Sequence, residues 1–185
     1  ERAIAHAESR QQLQQELKQG ELLGLTRDNN AIILFDWSAD SAVIREIGRL
    51  RELAFRRVGE GTGKRRDLDN YDRHYRHLVV WDREALEIAG AYRLGEGKDL
   101  LTRFGTEGFY TSTLYRFSPD FLPCIEQGIE LGRSFVQPKY QGKASLDYLW
   151  QGIGAYLAKR PDIRYLFGPV SMSADYPLAL GEELV

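Results

Sequence analysis

The sequence predicts an α/β fold of the α+β kind, in which a mixed, mostly antiparallel twisted sheet is flanked by helices. Two pairs of apolar, strand-like runs, over 21–37 and 77–94, are each joined by a short link, as in antiparallel hairpins. A third segment, 128–168, consists of strand, glycine-containing loop, helix and strand, which predicts one right-handed parallel crossover. The chain has 185 residues, 43% of them hydrophobic, so it is long enough for one medium domain with a buried core.

The first residues predict a helix that lies outside the sheet. Residues 3–18 are rich in Gln, Glu and Arg, and their sparse apolar positions are typical of a solvated helix that ends at Gly20. We therefore expect a linker helix over residues 1–20 and the main domain over 21–185. Because the chain begins at Glu1 without methionine, we also expect it to be a piece of a longer polypeptide.

The first hairpin and the next helix follow in order. Apolar runs at 21–26 and 31–37 flank Asp28-Asn29-Asn30, and Asn and Asp tolerate the left-handed backbone of a turn. A helix capped by Asp40 or Ser41 is then expected to reach about Val58 and to pack one face on the sheet. Its apolar positions recur at helical spacing: Val43, Ile44, Ile47, Leu50, Leu53, Ala54 and Phe55.

The middle of the chain predicts further strands at 77–81 and 86–94. A strand is also expected over 109–117, where aromatic and hydroxyl residues alternate. Short helices are expected around 100–104 and from Ser118-Pro119-Asp120 to Glu126, because proline favours the first turn of a helix.

Composition excludes several classes of protein. A net charge of −2 gives no indication of a nucleic-acid binder, and the single Cys124 excludes an internal disulfide and fits a reducing compartment. No apolar run approaches the ~18 residues of a membrane span. We expect a cytoplasmic protein, or one attached peripherally to the inner membrane.

The strand 128–136 carries one acid and one base near its middle. In a regular strand Glu130 and Arg133 would point to opposite faces, since positions three apart diverge. Gly132 between them predicts a bulge, which would bring both side chains to the same face. The alternative is an edge strand with two ordinary surface charges.

Two loops carry further charge. Asp67, Asp69 and Asp72 lie within six residues, so cations or an ammonium group are needed to offset their repulsion. They lack the loop spacing and turn glycine of a calcium site, and we expect no metal. The basic loop 59–66 suits an acidic ligand or an acidic carrier protein, or it is a solvated charge run.

The segment before the last helix has the features of an anion site. Glycine and lysine precede a helix N-terminus, whose backbone amides suit a phosphate or pyrophosphate. The predicted ligands are Lys139, Gly142, Lys143, Ala144 and Ser145. The alternative is an ordinary loop capped by Ser145.

These motifs resemble the GNAT acyltransferases, whose pyrophosphate loop Arg/Gln-x-x-Gly-x-Gly/Ala corresponds here to Lys139-x-x-Gly142-x-Ala144. The sharper resemblance is to the branch that contains acyl-homoserine-lactone synthases and ornithine-lipid N-acyltransferases. Its pattern is Arg-x-x-x-Phe, Asp-x-x-Asp, a strand-ending arginine and Glu-Leu-x-Arg. This sequence matches it with Arg51 and Phe55, Asp69 and Asp72, Arg93, and Glu130 with Arg133.

Two further comparisons refine the resemblance. The tryptophan that lactone synthases carry after the phenylalanine is missing, and a glycine-rich run at 59–63 stands in its place. The chain also resembles the C-terminal half of hemolysin-labelled fusion proteins, in which a lysophospholipid-acyltransferase-like domain comes first.

The resemblance implies transfer of a fatty acyl group from acyl-carrier-protein thioester, or acyl-CoA, to the amine of an amino acid such as ornithine. No tightly bound cofactor is implied, and pantetheine would lie between the strand of Glu130 and the strand near Leu166. Glu130 would accept the amine proton directly or through a water. Arg133, Asp69 and Asp72 complete the implied catalytic set, and Arg51, Phe55 and Arg93 would bind substrate.

Two other functions remain open at this point. One is a non-catalytic domain that binds acyl carrier or lipid and supports a fused lysophospholipid acyltransferase. The other is an acyl-homoserine-lactone synthase-like enzyme, which would use S-adenosylmethionine.

Overall fold

A computed structural model describes residues 2–142 and 144–170 of the chain. It contains one six-stranded sheet in the order of the chain, in which every neighbouring pair is antiparallel except the last two strands. The strands are β1 (Glu21–Leu25), β2 (Ala31–Phe35), β3 (Arg76–Asp82), β4 (Glu87–Glu96), β5 (Gly128–Val136) and β6 (Tyr165–Phe167). The described helices are α1 (Arg10–Leu17), α2 (Ala42–Arg56), α3 (Gly97–Phe104), α4 (Leu122–Glu126) and α5 (Ser145–Ala158). The predicted fold class is therefore confirmed.

Helix α2 covers one face of the sheet. Its N-cap Ser41 accepts a hydrogen bond from the Ile44 amide at 3.2 Å, and Glu16 of α1 accepts from the Ala42 amide at 3.0 Å. Burial works to raise the pKa of Glu16, but the hydrogen bonds from Ser41 and the first α2 amides outweigh it and lower that pKa. A carboxylate thus lies at the helix N-terminus, where the helix dipole favours negative charge.

Helix α5 covers the opposite face. Tyr148, Leu149, Ile153 and Tyr156 pack on a buried cluster with residues of β2, β3, β4 and β5. One hydrophobic cluster, with α2, thus lies on one face of the sheet, and the other, with α5, lies on the opposite face. The predicted crossover is present as β5, α5 and the parallel strand β6.

The N-terminal segment differs from the sequence prediction. The helix covers Arg10–Leu17 instead of 3–18, and the described residues before it have no regular secondary structure, with the Ala5 amide 3.0 Å from the Arg65 carbonyl oxygen. Leu13 and Leu17, one turn apart, are buried in the same cluster as α2, so the helix is not solvated on all sides. The division of the chain at residue 20 stays a prediction.

The prediction of a strand over 109–117 is wrong. Residues Tyr110–Thr113 form a 3-10 turn, and no strand is assigned over 109–117. One of the hydroxyls that suggested alternation bonds locally, since Thr113 Oγ1 donates to the Tyr110 carbonyl oxygen at 2.8 Å. Serine and threonine compete in this way with strand pairing. Strand β6, which ends the segment 128–168, covers only Tyr165–Phe167, and residues beyond Val170 lie outside the described part of the chain.

Backbone atoms approach Gly97, at the start of α3, more closely than they approach the other glycines in the described part of the chain, and this generates a stability prediction. A Cβ at Gly97 would lie 1.7 Å from the Ile125 carbonyl oxygen and 2.7 Å from that of Gly128. Gly97→Ala is expected to lower the free energy of unfolding by about 3 kcal/mol, because backbone atoms must move. Urea denaturation measures it.

Gly154→Ala is the matched control. Gly154 lies in α5, and a Cβ there would meet no heavy atom within 4 Å, so this variant is expected to gain up to about 1 kcal/mol of stability. Equal midpoints for the two variants would contradict the packing at α3.

Candidate active site

The bulge predicted in β5 is present, one residue later than expected. Ala91 pairs with Phe135 and Arg93 pairs with Gly132, so two residues of β5 oppose one residue of β4. The left-handed backbone belongs to Arg133, with φ +50°, and not to Gly132. Glu130 and Arg133 consequently lie on one face, where both contact Tyr110.

A cluster of paired charges fills the space between α2 and the sheet. Arg51 Nη1 donates to Asp72 Oδ1 at 2.7 Å, and Arg93 Nη1 donates to Asp69 Oδ1 at 2.7 Å and lies 3.3 Å from Asp72 Oδ1. Arg51 and Asp72 are fully buried, and Arg93 is 1% exposed. Burial works to raise the pKa of Asp72, but the two arginines outweigh it and lower that pKa to about 2. The four side chains therefore balance each other's charge.

His77 completes this cluster as a neutral side chain. Its Nε2 lies 3.2 Å from the Asp72 carbonyl oxygen and its Nδ1 3.4 Å from Arg51 Nη2, which assigns the proton to Nε2. Burial, aided by the charge of Arg51, lowers the pKa of His77 to about 4. No role for this histidine is predicted from the sequence.

Arg133 lies beside the cluster, and its side chain is more exposed to solvent than those of Arg51 and Arg93. Its guanidinium carbon is 5.2 Å from the centre of the Tyr110 ring and 5.7 Å from that of Phe55, as in cation–π contacts. Asp67 Oδ2 lies 3.7 Å from its Nε, and within the described part of the chain neither atom has a hydrogen-bond partner. Burial raises the pKa of Asp67 despite the nearby arginines. The side chain of Arg133 is 24% exposed, so a ligand can reach it.

Glu130 is buried, with 1% of its surface exposed. It accepts hydrogen bonds from the Thr111 amide at 2.7 Å, the Tyr110 amide at 3.1 Å, the Thr111 hydroxyl and the Tyr75 hydroxyl. Burial and the adjacent Glu130 raise the pKa of Tyr75, which keeps that hydroxyl protonated as a donor. The carboxylate thus ties β5 to the turn Tyr110–Thr113.

A cleft of about 660 Å³ opens between β5 and β6. Its floor is formed by Leu131–Ser134 of β5, and its polar end by Arg133, Tyr110, Phe55 and Glu60. The other side is apolar or aromatic, with Tyr92, Leu114, Tyr115, Trp150, Leu166, Phe167 and Val170. Glu130, Asp69 and Asp72 are not among the lining residues.

The predicted donor loop lies at the N-terminus of α5. Lys139 is paired with Glu87 of β4, Gly142 has φ +79°, and Ser145 is buried at the first position of the helix. Ala144 stands at the helix N-cap, and Lys143 lies outside the described residues. A recess of about 250 Å³ beside Ser145 is lined in part by Asp28, Asp82 and Glu84.

The structure thus brings together seven predicted site residues on one face of the sheet: Arg51, Phe55, Asp69, Asp72, Arg93, Glu130 and Arg133. Sequence reasoning missed the roles of Tyr75, Tyr110 and Thr111. Tyr75 directly precedes β3, and the alternating run 109–117 predicts a strand, so no signal in the sequence marks these residues as partners of Glu130.

Neither a metal site nor a membrane-spanning helix is found in the described part of the chain. Within residues 2–142 and 144–170, no group of three or more His, Cys, Asp or Glu side chains is placed to hold a metal ion. Over the same residues, no helix is both long and apolar enough to cross a membrane.

A mixed six-stranded sheet with a parallel last pair and a bulge in β5 beside a cleft fits an acyl-group transferase. The profile of the acetyltransferase (GNAT) domain family matches residues 50–151, and the chain belongs to this family.

Similar proteins are N-acyltransferases. The glycine N(alpha)-acyltransferase of Bacteroides thetaiotaomicron is 42% identical over 91% of this chain and 54% of its own length. The protein of the same name from Phocaeicola vulgatus is 39% identical, over 91% of this chain and 56% of its own length. The L-ornithine N(alpha)-acyltransferase of Brucella abortus is 31% identical, over 79% of this chain and 61% of its own length. The chain therefore spans little more than half the length of these relatives.

His77 generates a pH prediction. The folded chain holds it neutral, with a pKa of about 4, whereas an unfolded chain titrates it near 6.5. The unfolded state therefore binds more protons as pH falls from 6.5 to 4, and stability that is fully present above pH 6.5 is lost by about 3 kcal/mol across this window. Urea denaturation at several pH values measures the slope.

His77→Gln is expected to flatten this slope, because the titrating group is gone. His6→Gln, at an exposed position, is the control and is expected to keep it. A slope unchanged in His77→Gln would contradict the buried neutral histidine.

Proposed function

We propose that the cleft transfers a fatty acyl group from a thioester to the α-amine of an amino acid. The observation that carries the proposal is the position of Arg133, an accessible guanidinium at the polar end of a cleft whose other side is apolar. An amino-acid carboxylate suits the guanidinium, and a pantetheine-linked acyl chain suits the space between β5 and β6. The names of the relatives support the same chemistry.

The proposed reaction balances without a covalent enzyme intermediate. The amine nitrogen attacks the thioester carbonyl carbon, the new C–N bond forms, and the C–S bond breaks. The amine proton ends on the departing sulfur, so the products are an amide and a free thiol. Attack of the amine turns the carbonyl oxygen into an oxyanion. Because the bulge disrupts ladder pairing in β5, the backbone amides near Arg133 would be available to stabilise this oxyanion.

The acceptor would be held by Arg133. A guanidinium binds a carboxylate through two parallel hydrogen bonds, and the rings of Phe55 and Tyr110 hold this one in place. Arg51 and Arg93 are buried and already paired with Asp72 and Asp69, which favours a supporting role over substrate contact. That these four side chains bind substrate or take part in catalysis stays a prediction.

Glycine is the acceptor that we propose, with ornithine as the alternative. Identity to the glycine enzymes, 42% and 39%, exceeds the 31% identity to the Brucella ornithine enzyme. The acids of the buried cluster are also committed to arginines, whereas the second ammonium of ornithine needs a carboxylate of its own. Among the described residues that line the cleft, Glu60 is the acid that remains to pair with this second ammonium group.

We further propose acyl carrier protein as the donor in preference to CoA. Lys139, predicted to bind a pyrophosphate, is engaged by Glu87, and three acidic residues and one basic residue, Arg83, line the recess beside the α5 N-terminus. Acids outnumber bases there, which disfavours a pyrophosphate, whereas a carrier protein presents none there. A cytoplasmic location, peripheral membrane contact, a preceding lysophospholipid-acyltransferase-like domain and the absence of nucleic-acid binding stay predictions.

Product analysis tests the proposed function. The chain is incubated with acyl carrier protein loaded with plain or 3-hydroxy fatty acids, and with glycine, ornithine or other amino acids, and products are identified by mass spectrometry. We expect N-acylglycine to form faster than N-acylornithine, and carrier protein to be preferred over acyl-CoA. Carrier binding without any acylated product would favour a binding module, and homoserine lactone formed from S-adenosylmethionine would favour a lactone synthase.

Arg133→Lys tests the acceptor site. Lysine keeps the charge but loses the two-pronged contact, so the KM for the amino acid is expected to rise about tenfold, and further in Arg133→Ala. Steady-state kinetics measure it.

Arg103→Ala is the control for this prediction, because Arg103 pairs with Asp99 on the exposed side of α3. It is expected to leave the KM unchanged. An unchanged KM in Arg133→Ala would overturn the assignment of the acceptor site.

A further inference from the structure

The carboxylate of Glu130 has no acceptor position left for a substrate. An ionised carboxylate offers about four lone-pair sites, two on each oxygen. Oε1 accepts from the amide and the hydroxyl of Thr111, and Oε2 accepts from the Tyr75 hydroxyl. The Tyr110 amide is shared, since it lies 3.1 Å from Oε2 and 2.9 Å from the Tyr75 hydroxyl oxygen. Three donors are thus bound by the carboxylate alone, and the shared amide lies against the fourth site.

A direct role as proton acceptor would require one of these bonds to break. Two of the donors are backbone amides, which cannot turn away without moving the turn Tyr110–Thr113. The buried Thr111 amide would lose this partner, which is costly, whereas the Tyr110 amide would keep the Tyr75 oxygen. Glu130 is also absent from the lining of the cleft and is only 1% exposed.

The segment that Glu130 holds forms a wall of the cleft. Tyr110, Leu114 and Tyr115 line it, and they face the β5 residues that form its floor. The Tyr110 ring also lies against the guanidinium of Arg133, 5.2 Å from its carbon. Fixing the backbone of Tyr110 therefore fixes both the wall and the side of Arg133 that this ring covers.

We infer that Glu130 is a positioning residue that latches the segment 110–115 to β5 and so sets the orientation of Arg133. In this role it takes no proton from the acceptor amine, and a water molecule in the open cleft accepts that proton and passes it to the leaving thiolate. Tyr75 and Thr111 are part of the same latch. The inference rests on the proposed acyl transfer for its kinetic test, but not for its structural test.

The structural test measures hydrogen exchange of the peptide that covers 109–117. The latch predicts slow exchange of the Tyr110 and Thr111 amides in the unaltered chain and exchange at least tenfold faster in Glu130→Gln, since an amide has one acceptor oxygen instead of two. Unchanged exchange in that variant would overturn the latch, whether or not the chain is active.

The kinetic test separates a latch from a base. Thr111→Val removes one donor and leaves the carboxylate in place, and Thr111→Ser keeps the donor. The latch predicts that Thr111→Val, Tyr75→Phe and Glu130→Gln each raise the KM for the amino acid about tenfold with a smaller change in kcat, and that Thr111→Ser behaves as the unaltered chain. Effects of Thr111→Val and Glu130→Gln would not add, because both break one unit.

A general base predicts a different pattern. Glu130→Gln would lower kcat by about 100-fold or more with KM unchanged, and Thr111→Val would leave kcat intact or raise it. That pattern would overturn the inference. Thr102→Val, which removes a hydroxyl on the exposed side of α3, controls for loss of a hydroxyl elsewhere.

Loss of the proposed function would be distinguishable from failure of the latch. If no acceptor is acylated by any form of the chain, the exchange measurement still decides the latch. If the unaltered chain is active but exchange does not respond to Glu130→Gln, the latch alone fails.

Discussion

The pairing of buried charge between α2 and the sheet is the constraint on which the rest of the site depends. Two arginines and two aspartates lie there, and Arg51 with Asp72 is fully removed from water. Removing one partner from such a pair typically costs about 3–5 kcal/mol, because the other charge is left uncompensated. The loop that carries the aspartates is therefore held against the strand that carries Arg93. The partly exposed guanidinium of Arg133 lies beside this rigid cluster of charges, where it contacts the rings of Phe55 of α2 and Tyr110.

The cleft joins the two environments that the proposed acyl transfer to an amino acid requires. Its polar end carries Arg133, and its other side carries aromatic and aliphatic residues such as Tyr92, Trp150 and Leu166. The bulge in β5 creates this arrangement, since it turns Arg133 to the face of Glu130 while Leu131 stays on the face of α5. Acceptor and acyl donor can thus approach the same strand from different sides.

Most of the fold could be predicted from the sequence, because apolar periodicity and turn residues specify hairpins, α2 and the crossover locally. The motif residues Arg51, Asp72, Arg93 and Arg133 could be predicted as one site because their spacing is a family pattern. The partners of Glu130 could not, since Tyr75 and Thr111 lie in irregular segments whose contacts depend on tertiary packing. The same holds for α1, where two buried leucines attach an otherwise polar and largely exposed helix to the core.

The central claim is that Arg133 holds the amino-acid acceptor in the cleft beside the thioester. The most direct measurement is the NMR signal of glycine labelled with carbon-13 in its carboxyl group, recorded with the chain and a non-hydrolysable acyl-pantetheine. If Arg133 holds the acceptor, the carboxyl resonance is expected to shift when the chain is present and to return to its free position in Arg133→Ala. A resonance that is unmoved by the unaltered chain, or that shifts equally with Arg133→Ala, would contradict it.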